Sequence, residues 1–123
     1  MADHNILGTR GEEIAAGHLM ANSYSILERN WRNGRMEIDI IARLGNELII
    51  AEVKSRMDDY LISPVEAVSR RKQRMLIRAA NAYISKARLD LEVRFDIILV
   101  IFSSKEKHKI HHIENAFYPQ VRS

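Results

Sequence analysis

The sequence has no cysteine and only two prolines, Pro64 and Pro119. The absence of cysteine excludes disulfides and thiolate metal sites, and it fits a reducing cytoplasm. Residues 1–10 contain no apolar signal core. The longest apolar run, 97–102, is far too short to cross a bilayer. The sequence therefore predicts a cytoplasmic protein with no membrane segment.

The 123 residues contain enough apolar side chains, 46%, to build one hydrophobic core. This length suits one domain, residues 1–123, and leaves little room for a second. The net charge of +3 is a mild excess of positive charge that many kinds of protein share. The placement of the charges is therefore more informative than their sum.

Hydrophobic periodicity predicts the element order α-β-β-β-α-β-β. The first helix is expected over residues 10–22, with Thr9 and Glu12 at capping-box spacing. The second is expected from Ser63 to Ala87, with Pro64 at its first position and Glu66 completing the box. The five strands are expected at residues 24–28, 36–42, 47–54, 94–102 and 110–114. This order predicts an α/β fold in which helices sandwich a mixed β-sheet.

The second and third strands are predicted to form a hairpin around Gly45-Asn46, with Gly45 supplying a positive φ. Leu44 then opposes Glu47. In that register Asp39 faces Glu52 and Glu37 faces Lys54. Side chains two residues apart on a strand share a face, so all four charged groups project from the same side.

Two opposed carboxylates within apolar strands are destabilising unless something neutralises them. A divalent cation between Asp39 and Glu52 would remove the conflict, and carboxylate oxygens suit Mg²⁺ or Mn²⁺. The alternative is a salt-bridge network in which Lys54 and arginines from elsewhere neutralise the cluster.

A strand aspartate followed by Glu-x-Lys on the next strand resembles the PD-(D/E)XK nuclease superfamily, whose fold is restriction-endonuclease-like. The chain is more specifically similar to the YraN-like family of uncharacterised bacterial proteins. The matching pieces span nearly the whole chain: Gly11-Glu12, Ile26-Leu27, Asn30-Trp31-Arg32, Glu37-Ile-Asp39-Ile-Ile-Ala42, Glu52-Val-Lys54-Ser-Arg56, Glu66-Ala67-Val68, Lys72-Gln73, Arg94-Phe95-Asp96 and Glu114-Asn115-Ala116-Phe117. Archaeal Holliday-junction resolvases are distantly similar.

The resemblance implies roles for five residues. Asp39 and Glu52 would bind Mg²⁺ or Mn²⁺, and Glu12 would complete the metal shell, directly or through water. Lys54 would position or activate the attacking water, or stabilise charge on the phosphorane. Gln73 would orient Lys54 or a phosphate. The capping box leaves Glu12 an alternative role at the helix start.

The chain departs from the family pattern at two positions. Ile38 stands where the superfamily has proline. Met36 stands where relatives usually have glycine, and a bulky side chain there would narrow access for a phosphate backbone.

The second helix is strongly basic, since seven bases stand against the single acid Glu66. Arg70, Arg74 and Arg78 recur every four residues and form a stripe suited to phosphates. The predicted nucleic-acid-binding residues are Arg70, Lys72, Arg74, Arg78, Arg32 and Arg56. A solvated helix face is the alternative, and Gln73 is either directed at the site or a satisfied buried amide.

Three other features have structural readings. Trp31 is expected to pack into the core. His111 and His112 point to opposite faces of a strand, so a joint metal site with His108 is not expected. Asp96 is expected to pair with an arginine.

These observations favour a Mg²⁺-dependent endonuclease acting on DNA, including branched or damaged DNA. A homodimer is expected if both strands must be cut. Two other classes stay open: a nucleic-acid-binding module that keeps the nuclease fold without cleaving, and a structural partner protein that uses the basic helix on an acidic surface.

Overall fold

The computed structural model describes residues 2–57 and 67–119, with side chains from Ile6 onward. A five-stranded sheet lies between two helices, in the predicted order α-β-β-β-α-β-β. The elements are α1 (Ala2–Ala21), β1 (Ser25–Asn33), β2 (Met36–Leu44), β3 (Glu47–Met57), α2 (Arg70–Ala87), β4 (Glu92–Phe102) and β5 (His108–Phe117). The predicted α/β sandwich around a mixed sheet is confirmed.

The strands lie in the sheet in chain order, β1-β2-β3-β4-β5. Neighbours are antiparallel except β3 and β4, which are parallel. Antiparallel neighbours can be joined by tight turns, whereas a parallel pair needs a long crossover. The crossover between β3 and β4 contains α2.

Each face of the sheet packs against one helix. The α1-side core contains Ala15 and Leu19 with Ile40 and Val100. The α2-side core contains Leu76 and Tyr83 with Leu48 and Ile97. Burial on both faces explains the unbroken apolar run of β4, as expected for a covered central strand.

Gly11 sets the distance between α1 and β3. A Cβ atom at this position would lie 1.8 Å from the Oγ of Ser55. Only glycine therefore permits this close approach. The contact holds the next residue, Glu12, beside the sheet.

The start of α1 differs from the prediction. The helix begins at Ala2, so Thr9 lies inside it and the predicted cap at Thr9 is wrong. Leu7 packs against the α1-side core. Such tertiary contacts stabilise helical turns that local sequence signals alone do not predict. Glu12 is therefore not part of a capping box.

The predicted α2 start at Ser63, Pro64 and Glu66 lies outside the described residues. A continuous helix through Ala67–Ser69 is wrong, because α2 begins at Arg70. Ser69 is extended, with ψ 159°, and its Oγ accepts a hydrogen bond from the Lys72 N–H at 3.1 Å. Serine is a favoured N-cap because its oxygen satisfies a free backbone donor. The predicted end at Ala87 is confirmed, with Arg88 left-handed at φ 53°.

The strands are longer than predicted. β1 continues to Asn33, which brings Trp31 and Arg32 into the sheet. Its pairing with β2 is irregular between Ile26 and Glu28. Neither helix of the described residues is long and apolar enough to cross a membrane.

Candidate functional site

The β2–β3 hairpin positions the predicted carboxylates. Leu44 pairs with Glu47, and Gly45 has φ 60°, so the predicted turn and register are confirmed. The regular pairing continues to Ile40 and Ala51. It ends one residue before Asp39 and Glu52, so the predicted oppositions of Asp39 with Glu52 and of Glu37 with Lys54 are not part of the hairpin pairing.

Asp39 occupies the point where the two strands separate. Its Oδ2 accepts a hydrogen bond from the backbone N–H of Val53 at 2.9 Å. Ile38 packs in the α2-side core and Ile40 in the α1-side core, although residues two apart on a regular strand share a face. The strand therefore changes its facing at Asp39, and the carboxylate replaces a strand carbonyl as the partner of Val53.

Glu52 is a buried acid, with 3% of its surface exposed. Its Oε2 lies 3.7 Å from the Nζ of Lys54 and 3.5 Å from the Nζ of Lys72. Among the described residues its Oε1 has no hydrogen-bond partner. Burial, the nearby charge of Asp39 and a hydrogen bond with the Asp39 side chain raise the pKa of Glu52 to about 8, although both ammonium groups act in the opposite direction.

Glu12 approaches this cluster from α1. Partial burial and the charge of Asp39 raise the pKa of Glu12, while a hydrogen bond from the Asn30 side chain and the charge of Arg29 oppose that rise. Asn30 adopts a left-handed conformation, with φ 53°. Asparagine tolerates this region better than most residues. Sequence reasoning gave Asn30 no role, because its contact with Glu12 depends on the length of β1.

The carboxylates fit a hard divalent cation in part. In the described ranges, no three His, Cys, Asp or Glu side chains are grouped so that they could hold a metal ion. Asp39 and Glu52 lie side by side, and the unpartnered, buried Oε1 of Glu52 is an acceptor of the kind that Mg²⁺ binds. Mg²⁺ commonly uses one or two carboxylates and keeps several waters. The pair therefore suits such an ion, and Glu12 is close enough to feel the charge of Asp39.

The structure gives α2 a different contact with the site. The Gln73 side chain donates to the carbonyl of Val68 at 3.1 Å, just before the helix. Lys72, expected on the phosphate-binding surface, is the α2 residue that reaches Glu52. Lys72 lies in the first turn of α2, which begins at Arg70 after the Ser69 cap.

The other predicted phosphate contacts are exposed except Arg56, which is half-buried. Arg70, Arg74 and Arg78 are exposed along α2, whose first turn carries no acid. Arg32 is exposed, with its Nη2 3.7 Å from Glu37. Arg56 donates to the Ser55 carbonyl at 3.0 Å.

Trp31 packs as predicted. Its ring lies edge-on to Tyr83, with centroids 5.4 Å apart. Met36, the departure from the family pattern, packs beside it against the α2-side core. The side chain of Met36 therefore contributes to packing.

A second polar network surrounds Asp96, which is fully buried. Arg94 donates to both its oxygens, at 2.9 and 2.8 Å, and this confirms the predicted arginine pair. The Nε2 of His112 lies 2.7 Å from the carboxylate, and the Asn115 N–H donates at 3.0 Å. Although burial raises it, the hydrogen bonds from His112 and Arg94 hold the pKa of Asp96 below its usual value.

The network extends to His18 on α1, whose Nε2 lies 3.1 Å from the Nδ1 of His112. An ionised carboxylate only accepts, so Nε2 of His112 carries a proton; in a neutral His112, Nδ1 then accepts from the Nε2–H of His18. Burial lowers the pKa of His18, and His112 adds to this effect. The sequence could not reveal this contact, because the two histidines are 94 residues apart.

Comparison with known proteins identifies a family. A family model described as "Uncharacterised protein family UPF0102" matches residues 11–100. A UPF0102 protein of Porphyromonas gingivalis is 47% identical over 118 residues, covering 95% of this chain and 87% of the relative. A UPF0102 protein of Phocaeicola vulgatus is 46% identical over 121 residues, covering 98% of this chain and 99% of the relative. The chain therefore belongs to the protein family UPF0102, which confirms the YraN-like family expected from its motifs.

Proposed function

We propose that the protein is a metal-dependent endonuclease of the PD-(D/E)XK type, acting on phosphodiester bonds of DNA in the cytoplasm. One observation carries the proposal: Glu52 is a buried acid beside Asp39, with two lysines at one oxygen and no partner at the other. Such an arrangement is costly for a purely structural carboxylate. It suits an acid whose second oxygen takes a ligand.

Each residue of the site has its own proposed role in hydrolysis. Asp39 and Glu52 would hold Mg²⁺ or Mn²⁺, and the Val53 N–H fixes the orientation of Asp39. A bound divalent cation supplies polarisation of the phosphoryl oxygen and lowers the pKa of bound water. Lys54, near Glu52, orients the attacking water or stabilises the negative charge that develops on the phosphate. Glu12 holds a water at the rim of the site.

The substrate class is inferred from the exposed arginines of α2. Arg70, Arg74 and Arg78 are exposed on the helix whose first turn contacts Glu52. A stripe of arginines one helical turn apart binds a phosphate backbone without reading its sequence. The site and the stripe together suit a nucleic acid, for which we propose DNA, including branched or damaged DNA.

A second candidate, a module that binds nucleic acid without cleaving it, is favoured by one observation. Within the described part of the chain no three ligand-type side chains are grouped for a metal. A fold that keeps the basic helix and loses the full metal shell would bind and not cut.

A cleavage assay tests the proposal. Purified protein is incubated with linear, nicked and four-way-junction DNA in Mg²⁺ or Mn²⁺, beside Asp39→Ala, Glu52→Gln and Lys54→Ala. We expect cleavage by the wild type and a loss of about 100-fold or more in each variant, because each removes charge stabilisation in the transition state. Glu13→Gln is the matched control, since Glu13 is exposed and adjacent to Glu12.

Three outcomes discriminate between the functions. Cleavage that persists in Asp39→Ala, or none with any substrate, contradicts the enzyme. Salt-sensitive binding without cleavage supports the binding module. No binding at low salt leaves a structural partner protein, for which the basic helix would meet an acidic surface.

A further inference from the structure

Lys72 is a second cation at the same oxygen of Glu52 that Lys54 approaches. Its Nζ lies 3.5 Å from Oε2, slightly nearer than the Nζ of Lys54 at 3.7 Å. The side chain of Lys72 is 35% exposed, so it borders solvent, whereas Glu52 is buried. The Lys72 side chain can therefore move from the carboxylate to solvent or to a ligand without displacing buried side chains.

The backbone of Lys72 is held by the helix cap, whereas its side chain borders solvent. Lys72 is the third residue of α2, and its N–H donates to the Ser69 Oγ cap. The helix N-terminus carries a partial positive charge, and Arg70 and Arg71 stand in the same turn. The Lys72 ammonium therefore lies at a positively charged helix end, borders solvent and contacts Glu52.

The charges around Glu52 balance only while no divalent cation is bound. Asp39 and ionised Glu52 carry two negative charges, and Lys54 and Lys72 carry two positive charges. A bound divalent cation would leave this set of four with an excess of two positive charges. An ammonium beside a carboxylate that also binds a cation is repelled, since like charges at such distances destabilise each other.

We propose that Lys72 couples cation binding to substrate binding: it pairs with Glu52 in the cation-free protein and is released to a substrate phosphate when a divalent cation takes the carboxylate. This inference rests on the proposed function and goes beyond it, since it makes affinity for the phosphate backbone depend on the cation. It also assigns Lys72 the role that the family resemblance implies for Gln73, whose amide is held by Val68.

Calorimetric titration with Mg²⁺ and with Mn²⁺, without DNA, tests whether Lys72 competes with the cation for Glu52. The buffer is at about pH 8.5, above the pKa of Glu52 of about 8, so that most of Glu52 is ionised in every variant. We expect Lys72→Met and Lys72→Gln to bind the cation about fivefold more tightly than the wild type, because the competing ammonium is gone. Lys86→Met removes the same charge from the last turn of α2 and should leave the affinity within twofold.

Fluorescence anisotropy with a labelled DNA duplex tests whether the released Lys72 binds a substrate phosphate. Ca²⁺ replaces Mg²⁺ to slow turnover. We expect the wild type to bind DNA more tightly in Ca²⁺ than in EDTA, and the Lys72 variants to lose about fivefold in Ca²⁺ with little change in EDTA. Equal losses in both conditions would make Lys72 an ordinary phosphate contact and overturn the coupling.

These measurements distinguish failure of the Lys72 inference from failure of the proposed function. Lys72 variants that bind the cation no more tightly than a cation-binding wild type overturn the inference and leave the proposed function standing. A wild type that binds neither Mg²⁺ nor Mn²⁺ overturns both.

Discussion

At the scale of single residues, the approach of Asp39 to Glu52 depended on a local feature that the sequence displays. Gly45 fixes the hairpin turn, and the turn fixes the register. The role of Lys72 had no such local source. Lys72 and Gln73 differ by about 100° in direction on α2. The packing of the helix against the sheet, which is not a local property of the sequence, brings the Lys72 ammonium to Glu52.

The raised pKa of Glu52 predicts an unusual dependence of stability on pH. Between the unfolded value of 4.5 and the folded value of about 8, the folded chain holds a proton that the unfolded chain has released. The free energy of unfolding should therefore fall as pH rises from about 5 to about 8, by at most about 1.4 kcal/mol per pH unit. Urea unfolding in EDTA measures this slope.

Glu52→Gln should remove most of that slope, because a neutral amide releases no proton. Glu13→Gln, at an exposed position, should keep it. Equal slopes for the wild type and Glu52→Gln would contradict the assigned pKa direction of Glu52.

At the scale of elements, the contact between α1 and β3 depends on the missing side chain of Gly11. Strand pattern and helix pattern predicted both elements, since each is a local property of the sequence. The distance between α1 and β3 was not predictable, because it depends on the contact of Gly11 with Ser55, which is 44 positions further along the chain. The start of α1 escaped prediction for a similar reason: the packing of Leu7 outweighs the cap signal at Thr9.

Gly11→Ala should destabilise the protein by about 1–3 kcal/mol, because the added Cβ overlaps the Ser55 Oγ. The double variant Gly11→Ala, Ser55→Ala should regain most of this loss, since it removes the overlapping atom. Chemical denaturation of the four proteins in the cycle gives the coupling energy.

Gly17→Ala is the control for helix propensity. Nothing lies within 4 Å of a Cβ at Gly17, so alanine there should stabilise the helix by up to about 1 kcal/mol. If Gly11→Ala is equally well tolerated, α1 does not pack as closely as the Ser55 contact requires.

At the scale of the whole molecule, one buried carboxylate joins three elements. Asp96 on β4 binds Arg94, the backbone of Asn115 on β5, and His112, which in turn contacts His18 on α1. The arginine pair was predictable from the charges of β4. The histidine contacts were not, since they depend on α1 and β5 meeting across the sheet.

Asp96→Asn should cost about 3–5 kcal/mol, because it leaves the buried Arg94 charge without its main partner. Glu47 and Glu114 remain near Arg94, at 3.3 and 3.4 Å, and lessen the loss. Equilibrium urea unfolding near neutral pH measures it. A cost under about 1 kcal/mol would show that these two acids replace Asp96.

The parallel pairing of β3 and β4 also constrains how the chain folds. Strands β1, β2 and β3 follow one another through tight turns, so this meander, with Asp39 and Glu52 at its open end, can form early from contacts close in sequence. β4 can join only after residues 58–91 have closed a long loop, at an entropic cost that local contacts do not carry. Until then one edge of β3 is unpaired and apolar, and a strand of another chain could occupy it. Refolding yield should therefore fall with protein concentration, and the wait for β4 is the interval in which newly made chains are most prone to aggregate.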